Sequence, residues 1–85
     1  MESCRHFGGI TRSELEHLRK DARSEGLDFA AEDRGNVTYK GVEASFEYTE
    51  ATRTLKICIL KLPLLFPEFL VWQAIDGLVL PYAGD

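Results

Sequence analysis

Residues Val42–Ile59 read VEASFEYTEATRTLKICI. At period two, Val42, Ala44, Phe46 and Tyr48 point to one side, and Glu43, Ser45 and Glu47 to the other. After the polar break Glu50-Ala51-Thr52-Arg53, Leu55, Ile57 and Ile59 resume the apolar phase, with Thr54, Lys56 and Cys58 opposite them. Two alternating runs joined by a short polar link describe an antiparallel β-hairpin with one buried face. Setting Thr49 against Thr54 brings Phe46 beside Ile57, Ala44 beside Ile59 and Glu47 beside Lys56. Apolar side chains then meet apolar ones and opposite charges meet, and a slip of one residue would turn every apolar side chain outward.

Upstream, the phase slips by one residue at Gly41: Val37 and Tyr39 are odd-numbered, Val42, Ala44 and Phe46 even. A slip at glycine predicts one bent strand over Val37–Tyr48 with a bulge. The alternative is a tight turn at Lys40-Gly41, which would add a short strand. Before the turn residues Asp33-Arg34-Gly35-Asn36, the weak alternation of Leu27, Phe29 and Ala31 predicts a further strand of about five residues. Earlier still lies a well-marked helix over Arg12–Glu25. Thr11 and Glu14 form a capping box, Ile10 and Leu15 stand at the positions of a hydrophobic staple, and Leu15, Leu18 and Ala22 share one stripe. Gly26 is placed to take the left-handed position of a Schellman close. Met1–Gly9 is polar or small, ends in Gly8-Gly9, and is expected to be a flexible lead-in.

Downstream, Leu62-Pro63 ends the strand that began at Thr54. Leu64, Leu65 and Phe66 connect to Pro67, which suits the first helical position, and Glu68, which suits the positive end of a helix dipole. Val71, Ile75 and Leu78 form one stripe, flanked by Leu70 and Ala74 on one side and Trp72 and Val79 on the other. Pro81 stops the helix, and residues 81–85 read as a tail. The expected fold is therefore one small α+β domain over residues 1–85. It has two layers in the order α-β-β-β-α, with a three-stranded antiparallel sheet and two helices packed on one face.

Composition narrows the function. Of 85 residues, 45% are hydrophobic and 28% charged, a globular balance, and the formal net charge of −4 lacks the basic excess of a nucleic-acid binder. The apolar stretch Leu60–Leu80 is broken by Lys61, Pro63, Pro67, Glu68, Gln73 and Asp76, which argues against a membrane span. Cys4 and Cys58 read as two free thiols, one in a tail and one in a strand. With no secretory signal at Met1–His6, they point to a cytoplasmic protein.

No residue set carries recognisable chemistry. Cys4, His6 and His17 lack the paired spacing of a zinc site. Cys58 has no neighbouring base, and Glu43 and Glu47 are what a polar sheet face carries anyway. No phosphate loop, dinucleotide fingerprint or metalloprotease motif is present. Neither catalytic residue, cofactor nor metal is therefore expected. The run Tyr48–Pro67, YTEATRTLKICILKLPLLFP, followed by an apolar helix, resembles small bacterial proteins of unknown function. These share a Tyr-acid-turn-Thr-Leu hairpin, a lysine-proline strand end and a proline-led C-terminal helix. The resemblance covers the second half of the chain; it implies an α+β fold and no site.

One asymmetry remains. Of the 27 residues from Ile57 to Ala83, 19 are hydrophobic, and the preceding 56 hold the same number. The narrow stripe of the first helix cannot cover Leu60, Leu64 and Leu65 together with Phe66, Phe69, Leu70, Trp72, Val79, Leu80 and Tyr82. The last seven are the expected interface, with Trp72 as anchor of a homodimer or of contact with a protein partner. The function expected is a non-enzymatic interaction or assembly module. The alternatives are a small enzyme whose site, near Glu43 and Glu47, is completed by a second subunit, and a compact acidic inhibitor.

Overall fold

The hairpin forms in the expected register. Strands β3 (Val42–Thr49) and β4 (Thr54–Lys61) pair antiparallel, with Phe46 opposite Ile57, Ala44 opposite Ile59, Glu47 opposite Lys56 and Thr49 opposite Thr54. The computed structural model describes residues 3–27, 29 and 32–84. Helix α1 spans Arg12–Ser24 and helix α2 Glu68–Val79, followed by one 3-10 turn at Leu80–Tyr82. The chain is α+β, as expected, but the sheet has four strands rather than three. Strands β1 (Ser3–Phe7) and β2 (Arg34–Tyr39) complete it in the order β1-β4-β3-β2, all neighbours antiparallel.

Three corrections follow. The lead-in is a strand over Ser3–Phe7, because β4 offers it an unpaired edge, a partner about fifty residues away that no local pattern announces. The expected bent strand is a hairpin: φ is +50 at Lys40 and +85 at Gly41, the two-residue type I′ turn that joins twisted strands tightly. A register irregularity does occur in β3, between Glu43 and Ala44 rather than at the glycine. Around Leu27–Ala31, Leu27 and Phe29 are not in a strand, while Asp28, Ala30 and Ala31 lie outside the described residues.

The cysteines are corrected too. Cys4 on β1 stands directly opposite Cys58 on β4, and the two form a disulfide with Cα atoms 4.0 Å apart. The expected cytoplasmic location rested on free thiols, and that premise does not hold.

Helix α1 begins as its sequence requires. Glu14 N–H donates to Thr11 Oγ1 at 3.2 Å and Thr11 N–H donates to Glu14 Oε1 at 3.0 Å, closing the capping box. The Thr11 N–H foremost, and then the Thr11 hydroxyl, which donates to the same Oε1 at 3.0 Å, hold the Glu14 carboxyl below its usual range. At the other end Leu27 N–H reaches Ala22 O and Gly26 N–H reaches Arg23 O, the full Schellman pair, with Gly26 at φ +91. Arg12 then ties α1 to the sheet with two bonds to Asp33 (2.6 and 3.1 Å) and a third, of 2.6 Å, to Glu50. Tyr48 O–H donates to Ile10 O at 2.6 Å below it, and burial raises the pKa of that phenol.

The core lies between the sheet's inner face and the two helices. Phe7, Phe46, Tyr48, Leu55, Ile57 and Ile59 from the strands meet Leu15, Leu18 and Ala22 of α1 and Trp72 and Val79 of α2. Buried Arg19 is the exception. Its guanidinium donates to Glu32 O at 2.6 Å and pairs with Glu16, which offsets the cost of taking its charge out of water. The C-terminal residues are held as well: Gly84 N–H donates to the carbonyls of Gly8 and Gly9, so the expected tail is docked as far as Gly84.

Candidate functional site

The seven expected interface residues divide. Trp72 and Val79 are core residues, 4% and 2% exposed, which corrects the choice of Trp72 as an anchor. The Trp72 indole N–H donates to Ser3 Oγ at 3.1 Å, and the Arg5 guanidinium lies 4.7 Å from the ring centroid. Arg5 also forks onto Asp76, with bonds of 2.9 and 2.8 Å. The strand that the sequence hid is therefore what covers Trp72. Tyr82 is half-buried and donates its hydroxyl to Asp21, a bond that raises the phenol's pKa. Phe66, Phe69, Leu70 and Leu80 are exposed, as are Leu64 and Leu65. Leu60, the remaining member of the apolar surplus, is partly buried.

Leu64 and Leu65 stand out, at 93% and 92% exposed. Phe66 N–H donates to Pro63 O at 3.1 Å, so Pro63-Leu64-Leu65-Phe66 is a β-turn, and its third residue, Leu65, has φ +66. That position is ordinarily filled by glycine or asparagine. A leucine there carries backbone strain with no burial to offset it. From this turn the apolar surface continues along α2 through Phe69 and Leu70. The only charged residues of α2 are Glu68 at its start and Asp76, which Arg5 engages. A helix apolar on nearly all sides is normally covered on all sides.

Beside this ridge an apolar cleft of about 550 Å³ opens between the helices. Its floor is the inner face of the sheet at Val37, Ala44, Phe46 and Ile57. One wall is α2, through Leu70, Val71, Ala74, Ile75 and Leu78; the other is Leu18 with Leu27 and Phe29. Phe46 stacks on Phe29 with ring centroids 4.4 Å apart. Among the described residues, Glu25 and Lys40 are the only charged ones in the lining, accompanied by Tyr39. Water that enters finds few polar partners on such walls. Such a lining suits an apolar occupant, and the volume falls within the range of about 300–1,000 Å³ usual for ligand sites.

Of the residues expected at an interface, Phe66, Leu70 and Val79 also line the cleft, which the sequence did not announce, and Tyr39, Lys40, Leu27 and Phe29 were not among them. The signal lay in Val71, Ile75 and Leu78, read as the buried stripe of α2. They are only half-buried because they face the cleft.

The outer face holds a shallower depression of about 390 Å³, lined by Arg34, Asn36, Ser45, Glu47, Lys56 and Cys58 among others. Glu47 is engaged there by Arg34 at 3.0 Å, and Glu43 stands opposite Lys61 in the ladder. Among the described residues no cluster suited to a metal ion occurs, and no helix is long and apolar enough to cross a membrane. The chain matches no family model, no curated protein and no solved structure.

Proposed function

We propose that this chain is a small non-enzymatic interaction module that works through the apolar ridge at the start of α2, and that the ridge's partner is a second copy of the chain. The observation that carries this reading is the pair Leu64 and Leu65, almost wholly exposed, with Leu65 in a backbone conformation that disfavours leucine. Large apolar side chains presented at the tip of a turn, continuous with an uncharged helix face, form the kind of patch that association covers. A twofold arrangement lets the same patch serve both copies. Several surface arginines are paired with carboxylates: Arg5 with Asp76, Arg12 with Asp33 and Glu50, Arg34 with Glu47. Together with the net charge of −4, this leaves no basic stripe for nucleic acid.

The test is sedimentation equilibrium across concentration for the native chain and for Leu64→Ser/Leu65→Gly. A native dimer that becomes a folded monomer in the double variant supports the reading. A native chain that remains monomeric at about millimolar concentration, where only very weak association escapes detection, overturns it.

A further inference from the structure

A second observation, independent of the ridge's exposure, is the composition of the cleft and its mouth. The cleft reaches the core, since Leu18, Phe46 and Ile57 in its lining are at most 7% exposed. It is also continuous with the surface, because Phe66 and Leu70 belong both to the ridge and to the lining. An elongated apolar group therefore has a path from Phe66 and Leu70 at the surface to the floor of the sheet.

The mouth supplies the polar end. Lys40 sits in the β2–β3 turn at φ +50, a position suited to asparagine or glycine, so turn geometry does not account for a lysine there. Its ammonium lies 5.2 Å from the centroid of the Tyr39 ring and makes no ion pair among the described residues. Gly41 packs this turn closely against Pro63, just past the end of β4, where an added Cβ would lie 3.0 Å from Pro63 Cγ. Glu25, the C-cap of α1, is the one carboxylate in the lining among the described residues and stands against Lys40 in sign.

We infer that the cleft binds a single-chain aliphatic carboxylate. The chain lies between α1 and α2 on the inner face of the sheet, and the carboxylate stays at the mouth with Lys40. Apolar burial supplies most of the affinity, and Lys40 selects the sign of the head group.

Isothermal titration calorimetry of the full chain tests this with three twelve-carbon probes below their aggregation concentrations: dodecanoate, 1-dodecanol and dodecyltrimethylammonium. Dodecanoate is expected to bind saturably at one site per chain and more tightly than the other two. Lys40→Asn suits the turn and removes the charge, and should weaken dodecanoate roughly three- to tenfold while leaving dodecanol unchanged. Ala74→Trp fills the cleft from the α2 wall and should abolish binding, with circular dichroism confirming the fold. Should that variant not fold, Gly77→Phe obstructs the same wall from a position with open space around it. No saturable binding of dodecanoate, equal affinity for the three probes, or affinity unchanged by Lys40→Asn or by the obstructing variant would each overturn the inference. Dodecanoate binding should persist in Leu64→Ser/Leu65→Gly, so loss of self-association leaves this site standing.

Discussion

Adjacent leucines at the tip of the ridge should respond to glycine with opposite signs. Leu65 has φ +66 and is 92% exposed; Leu64 is 93% exposed and does not have positive φ. Removing either side chain forfeits almost no burial within one copy, so the backbone decides the outcome. In the left-handed region a residue with a Cβ bears about 1–2 kcal/mol that glycine does not. Glycine in turn adds about 0.4–1 kcal/mol of unfolded-state entropy. Leu65→Gly should therefore stabilise the isolated chain by roughly 0.5–1 kcal/mol, a rise in midpoint of about 2–8 °C for a chain of this size. Leu64→Gly carries only the entropic term and should destabilise by about 0.4–1 kcal/mol. Urea denaturation followed by far-ultraviolet circular dichroism measures both, at concentrations low enough that self-association contributes nothing. If Leu65→Gly destabilises as much as Leu64→Gly does, Leu65 is not held in the left-handed region. The claim that this turn carries uncompensated strain then fails.

Trp72→Glu should unfold the chain rather than yield a folded monomer, because a carboxylate would replace an indole buried against β1; a folded, soluble variant by circular dichroism would contradict the burial. Reducing the Cys4–Cys58 disulfide, which closes a separation of 54 residues, should lower stability by up to about 4 kcal/mol on the chain-entropy estimate. A urea midpoint that ignores reductant would count against the bond. Arg12 donates two hydrogen bonds to Asp33 and holds its carboxyl below the usual range, with the charge of Arg19 assisting. A depressed carboxyl stabilises the fold above its unfolded pKa, about 3.9, and that stabilisation is lost as pH falls through the lower folded value. Asp33→Asn should thus flatten the acid limb of the stability profile below about pH 4; an unchanged limb would mean that the pair contributes nothing.

What could be read from the sequence was local. The hairpin register follows from two short runs whose phases must agree. The α1 boundaries follow from Thr11, Glu14 and Gly26, whose side chains or lack of one act within four residues along the chain. What could not be read depends on distant partners. Ser3–Phe7 has no alternation strong enough to announce a strand, and it becomes one because β4 has an edge to fill. The disulfide and the burial of Trp72 are both consequences of that single pairing. Once β1 is placed, Cys4 meets Cys58 and Ser3 and Arg5 meet Trp72. Treating nine residues as a lead-in therefore produced two further errors, a pair of free thiols and an indole left looking for a partner.

The same pairing explains why the apolar surplus after Ile57 is only partly absorbed. Strand β1 covers the Trp72 and Asp76 side of α2 and draws the helix toward the β1–β4 edge of the sheet. Helix α1 is fastened at the other side, through Arg12 to Asp33 and Tyr48 to Ile10. Between them Val71, Ile75 and Leu78 are left half-covered above the sheet floor, and the cleft is the space that results. Whether this space is a binding site or a loosely packed core can be decided by filling it. A dodecanoate-bound chain should gain stability in proportion to the logarithm of ligand concentration above its dissociation constant, and Ala74→Trp should abolish that gain. If Ala74→Trp instead stabilises the ligand-free chain while native dodecanoate binding is absent, the cleft is a packing defect that a larger side chain repairs. The apolar excess would then belong to the ridge alone.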